Sequence, residues 1–386
     1  MRIGACTAAL SLFGILFLSM FAFSGTAEGE STWSPPVRIS SGVYGIADLY
    51  VGSTDEYVLT WQYSEGPVYL FRSPDSGASW DLASDVFGFS IWGAWPGMCA
   101  YNDSTNDVII VVAAELVAKS TDSGNSFVEL SPIPSFPDGG WWTSMAVGTN
   151  ASWYGGVPDD DIYVWGTHYI VSTGTYRVGF TKSTDGGANW STPINVCALD
   201  SYYPAVVSDE SRIYMTYGMY GVLSNNQFDV HLRVSDDWGA TWSSDMMLID
   251  AVETEFYLGW QLQLFGPSQA IMTMMHRFSN SPSDIISTDV EYGLLDLVAL
   301  DYTKIGNFSD PEAIIGYGVS GYLRNDGRFS IAFIDNNFDG TSNLIYATSW
   351  DSGLVQAVVP EFGMLMLPIL GTAALAIAAI RLTRRR

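Results

Sequence analysis

Positively charged residues are scarce in this sequence. Its 386 residues include 16 lysines and arginines, only three of them lysines, against 41 aspartates and glutamates. The formal net charge is −25 at pH 7. A chain with this excess of negative charge repels nucleic acid and anionic membrane surfaces, so nucleic-acid binding is excluded as a function class.

Cysteine and histidine are also scarce, with three of each in the whole chain. Cys6 lies in an N-terminal segment that we expect to be removed, which leaves Cys99 and Cys197 for the folded body. Two cysteines are too few for a disulfide-built scaffold, and the sequence leaves open whether they pair. The histidines are too scattered for a recognisable zinc motif, so we expect no required cofactor.

Two apolar segments lie at the ends of the chain. Residues 1–27 carry Arg2, an apolar run and then small residues, which is the pattern of a secretory signal peptide; an uncleaved anchor helix is the alternative. Residues 363–380 are long and apolar enough to cross a bilayer, and the arginines that follow favour a cytoplasmic end. We therefore expect a signal peptide at 1–27, a folded body at 28–357 and a terminal segment at 358–386.

A short motif recurs along the body. The pattern Ser-x-Asp-x-Gly-x-x-aromatic follows a strand-like run each time, and its aspartates are Asp75, Asp122, Asp185 and Asp237. Such a pattern is typical of a hairpin turn, in which Asp accepts backbone hydrogen bonds and Gly supplies a positive φ. Degenerate copies are predicted at Ser287-Thr288-Asp289 and Ser349-Trp350-Asp351. A period of roughly 50 residues with several strands per unit indicates propeller blades.

The sequence therefore predicts an all-β, six-bladed β-propeller. The stretch Thr32–Ile39 looks like the strand that follows one of the turns, so we expect it to supply the outer strand of the last blade. This pairing of first with last would remove two open sheet edges.

The repeated Ser-x-Asp-x-Gly-x-x-aromatic residues resemble the Asp-box, or bacterial neuraminidase repeat, of the sialidase-like superfamily. In that family the box lies on the rim away from the active site. The resemblance thus implies that Asp75, Asp122, Asp185 and Asp237 are structural and not catalytic.

Aromatic residues recur where the chain is expected to enter the innermost strand of each blade. They are Tyr44, Trp95, Trp142, Tyr203, Trp260 and Tyr322, with Tyr202 among their neighbours. Loops on the same face contribute His168, Tyr169 and Arg277. Flat apolar rings stack on sugars, which makes this set a candidate ligand platform, but rings that simply plug the central channel are an equal alternative.

One loop on that face resembles the start of a calcium-binding loop. Asp335, Asn337 and Asp339 alternate before Gly340, although Tyr346 stands where an EF-hand has its closing glutamate. Calcium binding and an ordinary polar hairpin are both open.

The sialidase resemblance also implies what an enzyme of this family needs: three arginines that clamp a carboxylate, an aspartate acid/base and a tyrosine nucleophile assisted by glutamate. No convincing arginine triad is present in this sequence. The set that would carry such an activity is Tyr322 with Arg277 and Arg324. We expect a binding or structural module for carbohydrate, with an exo-sialidase or another glycoside hydrolase as the alternative.

The extreme terminus adds a sorting signal. Pro360, Glu361 and Phe362, followed by the apolar run and the arginine cluster, resemble the archaeal PEF-CTERM signal. This resemblance implies an archaeosortase-like processing enzyme as a partner and attachment to the cell envelope; an ordinary C-terminal membrane anchor is the alternative. Both predict display at the cell surface.

Overall fold

The computed structural model describes residues 33–42, 45–52, 55–61, 65–92, 95–138, 140–149, 152, 161–197, 200–209, 211–220, 228–251, 255–266, 268–281, 284–309, 315–324, 326–336 and 342–349. The predicted signal peptide and the predicted sorting signal lie outside these residues. None of the described segments is a helix with the length and apolar character that a membrane span requires.

The described residues form six four-stranded antiparallel sheets, which are the blades of a β-propeller. Strand β1 (Val37–Ser41) belongs to the last blade. Blade 1 contains β2 (Gly45–Val51), β3 (Glu56–Trp61), β5 (Val68–Ser73) and β6 (Asp81–Asp85), while the short β4 (Glu65–Gly66) and β7 (Ile91–Trp92) pair with each other. Blade 2 contains β8 (Gly97–Asn102), β9 (Asp107–Ala113), β10 (Leu116–Ser120) and β11 (Val128–Glu129).

The remaining blades repeat the same order of inner, middle, third and outer strand. Blade 3 contains β12 (Trp141–Gly148), β13 (Ile162–Ile170), β14 (Thr175–Ser183) and β15 (Ile194–Asn195); blade 4 contains β16 (Ser201–Ser208), β17 (Ile213–Tyr220), β18 (Phe228–Ser235) and β19 (Met246–Ile249). Blade 5 contains β20 (Glu255–Leu264), β21 (Gln269–Ser281), β22 (Asp284–Asp296) and β23 (Asp301–Phe308); blade 6 contains β24 (Ile315–Leu323), β25 (Phe329–Asn336) and β26 (Ser342–Thr348), with β1 as its outer strand. The prediction of an all-β, six-bladed propeller is confirmed.

The ring closes through the start of the chain. Strand β1 pairs antiparallel with β26, with Val37 opposite Tyr346, and a further bridge joins Trp33 to Ser349. The prediction that this segment completes the last blade is thus confirmed. Each inner strand contacts the inner strands of both neighbouring blades, so the six inner strands surround a central channel.

The apolar core lies between the blades. Every residue of β3 and β9 is buried, because a middle strand has a neighbouring blade on each face. Middle strands therefore read as continuous runs such as Val108–Ala113 instead of alternating with polar residues.

The Ser-x-Asp-x-Gly turns join third to outer strands. In the first, Ser73 Oγ donates to Asp75 Oδ1 (2.9 Å) and accepts from Gly77 N (2.8 Å), and Ser79 N donates to Asp75 Oδ1 (2.8 Å). Gly77 has φ +85°, the left-handed region that favours glycine. The turns around Asp122, Asp185 and Asp237 repeat these hydrogen bonds.

The prediction of a fifth turn at Ser287-Thr288-Asp289 is wrong. These residues lie inside β22, which pairs with β21, and the chain turns only after Asp296. Asp296 Oδ1 accepts from Val298 N and Ala299 N, both at 2.8 Å. This simple Asx turn uses neither Ser nor Gly, so the repeat pattern does not reveal it. Of the predicted sixth copy, the structure describes Ser349 alone.

Candidate functional site

The antiparallel order gives the propeller two different faces. The Ser-x-Asp-x-Gly turns and the inner-to-middle turns lie on one face, which we call the turn face. The links that lead into the inner strands and the middle-to-third loops lie on the other, which we call the mouth face.

A cavity of about 170 Å³ lies in the central channel. Its walls come from the inner strands of all six blades, and Trp95 and Tyr203 line it near the mouth face. Tyr50 and Tyr322 line its other end, because each is the second-last residue of its inner strand.

Trp95 and Tyr203 stack on each other near the mouth, with ring centroids 5.0 Å apart and planes 26° apart. The backbone of Trp95 is fixed by two hydrogen bonds to blade 3: Trp95 N donates to Thr143 O (3.1 Å), and Met145 N donates to Trp95 O (2.9 Å). Both rings are half-buried, so each keeps part of its surface accessible.

These two rings belong to a longer chain of aromatic contacts, which we call the aromatic band. Its members all lie at the mouth ends of their strands or in a mouth link, and in order of contact they are Trp61, Trp95, Tyr203, Tyr202, Tyr176 and Tyr169. Neighbouring ring centroids along the band lie 6.3, 5.0, 6.1, 5.0 and 4.9 Å apart. The band thus runs from Trp95 and Tyr203 at the channel outward to the β13–β14 hairpin of blade 3, while Trp61, at its other end, is buried.

The turning point of the band is strained. Tyr203 has φ +53°, a left-handed conformation that costs a non-glycine residue about 1–3 kcal/mol and occurs often at ligand sites. Hydrogen bonds to blade 3 hold this segment: Tyr203 N donates to Thr167 Oγ1 (3.1 Å), and Val178 N donates to Ser201 Oγ (2.9 Å). Nearby, Tyr176 N donates to Asp200 Oδ1 (2.8 Å), which fixes Tyr176 beside Tyr202.

Deeper in the channel, Asp48 joins several blades. Met98 N of blade 2 donates to Asp48 Oδ2 (2.6 Å), and Gln261 Nε2 of blade 5 donates to Asp48 Oδ1 (2.9 Å). Gln261 Oε1 in turn accepts from Gly321 N (3.1 Å) and from the hydroxyl of Ser320 in blade 6. Burial raises the pKa of Asp48 to about 8, since it outweighs the opposing hydrogen bond from Met98.

Gln263, the second glutamine of β20, forms hydrogen bonds with the backbone of β24 in blade 6. Gln263 Oε1 accepts from Leu323 N (2.7 Å), and Gln263 Nε2 donates to Leu323 O (3.2 Å). The backbone of an inner strand has no sheet partner on its channel side, so these side-chain amides supply the missing hydrogen bonds.

Two of the predicted mouth residues are buried away from the channel. Trp142 is 1% exposed, packs against Phe136 and donates from Nε1 to Pro134 O (3.3 Å). His168 is fully buried, with Phe136 stacked on it at 3.5 Å and Asp138 Oδ1 at 3.0 Å from its Nε2. Both therefore lie beneath the segment 131–138 and offer no ring face to a ligand.

The proposed enzymatic set is not brought together. Tyr322 lines the channel at the end nearer the turn face, where burial raises its pKa to about 12. Arg324 forms a buried ion pair with Glu56 on the turn face, and it also donates to Tyr346 Oη (3.3 Å). Arg277 lies near the opposite, mouth end of β21, where it pairs with Phe256 and Thr288.

Other predicted residues fall partly or wholly outside the described part of the chain. These are Tyr44, the side chain of Trp260, Asn337 and Asp339; Asp335 lies in β25, opposite Asn343. The calcium site therefore stays a prediction. Within the described ranges, no group of three or more histidines, cysteines, aspartates and glutamates is placed to hold a metal ion.

The two body cysteines do not pair. Cys99 and Cys197 are buried thiols in different inter-blade cores. Burial raises the pKa of Cys99 to about 12 and that of Cys197 to about 11.

Asp48 decides what chemistry the cavity can offer. Among the described residues that line the cavity it carries the one carboxyl group, and none of them is lysine, arginine or histidine. Glycoside hydrolysis by the common mechanisms uses two carboxyl groups, about 5–10 Å apart. The described wall supplies one.

No protein-family model matches the chain, and no curated protein matches it in sequence. Solved structures do share its fold. An α-L-arabinanase of Penicillium chrysogenum complexed with arabinobiose aligns with a TM-score of 0.57 and 11% identity, over 83% of this chain and 98% of that one.

Two further structures give similar values. An α-L-arabinofuranosidase of Fusarium graminearum aligns with a TM-score of 0.53 and 11% identity, over 83% of this chain and 97% of that one. The NanB sialidase of Streptococcus pneumoniae aligns with a TM-score of 0.53 and 10% identity, over 85% of this chain and 70% of that one. At these identities the likeness shows a shared six-bladed, sialidase-like propeller fold.

Proposed function

We propose that the protein is a carbohydrate-binding propeller, which holds a glycan on the aromatic band of its mouth face. The observation that carries this proposal is the unbroken series of contacts between half-buried rings from Trp95 to Tyr169. Aromatic faces stack on the apolar faces of sugar rings, and half-buried rings are already fixed in place before a ligand arrives.

The fold neighbours support this choice of ligand. They include an arabinanase bound to arabinobiose, an arabinofuranosidase and a sialidase, all of them proteins that act on glycans. The strained φ of Tyr203 adds support, because such strain persists only where the surrounding structure holds the residue in place, and strained residues cluster at ligand sites.

Binding without cleavage is favoured by the cavity wall. Asp48 is the one carboxyl group among the described lining residues, and both of its oxygens already accept hydrogen bonds. A carboxyl group that links blade 1 to blades 2 and 5 is poorly suited to move a proton to a substrate and back.

The direct test is a binding screen of the purified full chain against a glycan array, followed by titration calorimetry with each hit. Trp95→Ala should weaken binding by about 2 kcal/mol, or roughly thirtyfold, because it removes a central ring. Phe89→Ala is the matched control, since Phe89 is an exposed aromatic outside the band. Absence of binding to any glycan, or equal loss in both variants, contradicts the proposal.

A glycoside hydrolase is the second candidate, and one observation favours it. Desolvation raises the pKa of Asp48 to about 8, which favours at neutral pH the protonated state that a general acid needs. Release of reducing sugar from the bound glycan, abolished by Asp48→Asn while binding persists, would establish hydrolysis over binding alone.

We also propose that the propeller is exported and displayed at the cell surface. The support is the composition of residues 1–27 and of 358–386, including Pro360, Glu361 and Phe362. Mass spectrometry of the mature protein tests both ends: intact residues at both termini would contradict export with processing.

A further inference from the structure

The aromatic band extends from the channel to blade 3, so a single bound sugar would contact only part of it. Trp95 and Tyr203 lie at the channel, whereas Tyr176 and Tyr169 lie at the β13–β14 hairpin of blade 3. Ring contacts of 4.9–6.1 Å connect these two ends without a break. A ligand that contacts only the channel would leave the Tyr202, Tyr176 and Tyr169 rings unused.

The charges around the site select against an acidic ligand. The described cavity wall contains no lysine, arginine or histidine. Arg177 follows Tyr176 in β14, but successive side chains of a strand point to opposite faces, so it does not share the face of that ring. Arg277 of blade 5 is not among the residues that line the cavity.

The charge of the whole chain acts in the same direction. With 41 acidic and 16 basic residues, its field repels a polyanion before contact. A carboxylate-bearing sugar that reached the band would find no described cation in the cavity wall to balance its charge. A neutral sugar loses nothing by this, because stacking on an aromatic face needs no charge.

We infer that the band binds a neutral glycan chain along its length, with consecutive sugar rings stacked from the channel mouth out to blade 3, and does not bind a single terminal acidic sugar. This inference rests on the proposed carbohydrate-binding function. It names the class of ligand: a neutral polysaccharide segment longer than a disaccharide.

Calorimetry on the full chain tests the inference. The neutral probes are arabinan, xylan, mannan and glucan oligosaccharides of increasing length; the acidic probes are galacturonan and sialylated oligosaccharides. The affinity for at least one neutral series should rise with length and should not change with salt, since no ion pair forms. The acidic probes should bind at least roughly tenfold more weakly than neutral ones of equal length.

Tyr176→Ala separates the outer part of the band from the channel. It should weaken binding of the longest neutral oligosaccharide roughly tenfold and leave the disaccharide unchanged. Tyr169→Ala provides a second variant at the same end should the first not fold, and Phe89→Ala is the control.

Each outcome bears on a different statement. Length-independent binding that Tyr176→Ala and Tyr169→Ala both leave unchanged overturns the extended site, while glycan binding itself stands. Tighter binding of the acidic probes overturns the choice of a neutral ligand. Failure of every neutral and acidic probe to bind overturns the carbohydrate-binding function and this inference with it.

Discussion

Trp95 of blade 2 stacks on Tyr203 of blade 4 at 5.0 Å, although blade 3 lies between these blades in the ring. The contact forms because Trp95 bonds to the inner strand of blade 3 through Thr143 and Met145, which brings its ring over the channel. The rings therefore narrow the channel at the mouth and also offer surface to solvent. Plug and platform, which the sequence leaves as alternatives, are compatible in this pair.

Replacing Tyr203 separates backbone strain from ring stacking. Tyr203→Gly removes the ring but suits φ +53°, whereas Tyr203→Ala removes the ring and keeps the strain. We expect the glycine variant to be about 1 kcal/mol more stable than the alanine variant in urea unfolding. Both should lose glycan affinity to the same extent. Equal stability of the two variants would show that the left-handed conformation carries no strain.

The free energy of unfolding should depend on whether the Asp48 carboxyl group is protonated. An aspartate in an unfolded chain titrates at about 3.9, whereas desolvation in the channel raises the pKa of Asp48 to about 8. Between these values the folded state holds a proton that the unfolded state releases. The contribution of Asp48 is therefore complete below about pH 4 and falls, by a few kcal/mol, as the pH rises to about 8.

The measurement is urea unfolding at several pH values from about 4 to 9, on the native chain and on Asp48→Asn. Asparagine does not titrate, so the variant should lose less stability with rising pH. At low pH the variant should have a smaller free energy of unfolding than the native chain, because one side-chain oxygen that accepts a hydrogen bond from Met98 or Gln261 becomes an amide nitrogen. Parallel curves for the two proteins would refute a protonated Asp48.

The fold could be predicted from the sequence because its signal is local. Asp75 and Gly77 stand at fixed positions in a turn that one short segment forms by itself, and the spacing of such turns gives the blade size. The motif does not identify this turn in blade 5, because an Asx turn at Asp296 connects the third strand to the outer strand there.

The site could be predicted only in part, because the burial of a side chain and its position along the channel depend on segments that are distant in the sequence. Trp142 and Trp95 look alike in sequence, but Trp142 is buried against the segment 131–138, whereas Trp95 is half-buried and lines the channel. The sequence predicts Tyr322 where the chain enters an inner strand, but Tyr322 lies at the far end of β24. The repeated motif does not mark Trp61, Tyr176 or Asp48; the signal for Trp61 and Tyr176 is an aromatic residue at the mouth end of a strand.

Arg324 should matter for stability and not for ligand binding. Its ion pair with Glu56 is buried, with side chains 9% and 2% exposed. Arg324→Ala leaves Glu56 buried without its cation, which costs roughly 3–5 kcal/mol. Arg328→Ala is the matched control: Arg328 pairs with Asp326 at 2.6 Å near the surface, and such pairs contribute at most about 1 kcal/mol.

Urea unfolding and glycan titration of both arginine variants check this prediction. Affinity should be unchanged in each, because the pair lies on the turn face. A loss of glycan affinity in folded Arg324→Ala, greater than in Arg328→Ala, would return Arg324 to the ligand site.

Gly77 and Gly88 form a natural pair for measuring how closely the first turn is packed. Both have positive φ, +85° and +71°, so alanine at either position takes a left-handed conformation at a cost of about 1 kcal/mol. A Cβ at Gly88 meets no atom within 4 Å, whereas a Cβ at Gly77 would lie 2.1 Å from Cε1 of Tyr346. Gly77→Ala must therefore displace the Tyr346 ring, which packs on Trp80 at 5.1 Å and bonds to Arg324. Overpacking of this kind costs about 1–3 kcal/mol beyond the backbone strain, so Gly77→Ala should unfold at clearly lower urea than Gly88→Ala. Since Tyr346 belongs to blade 6 and Gly77 to blade 1, an equal loss in the two variants would mean that the blades adjust freely at the point where the ring closes.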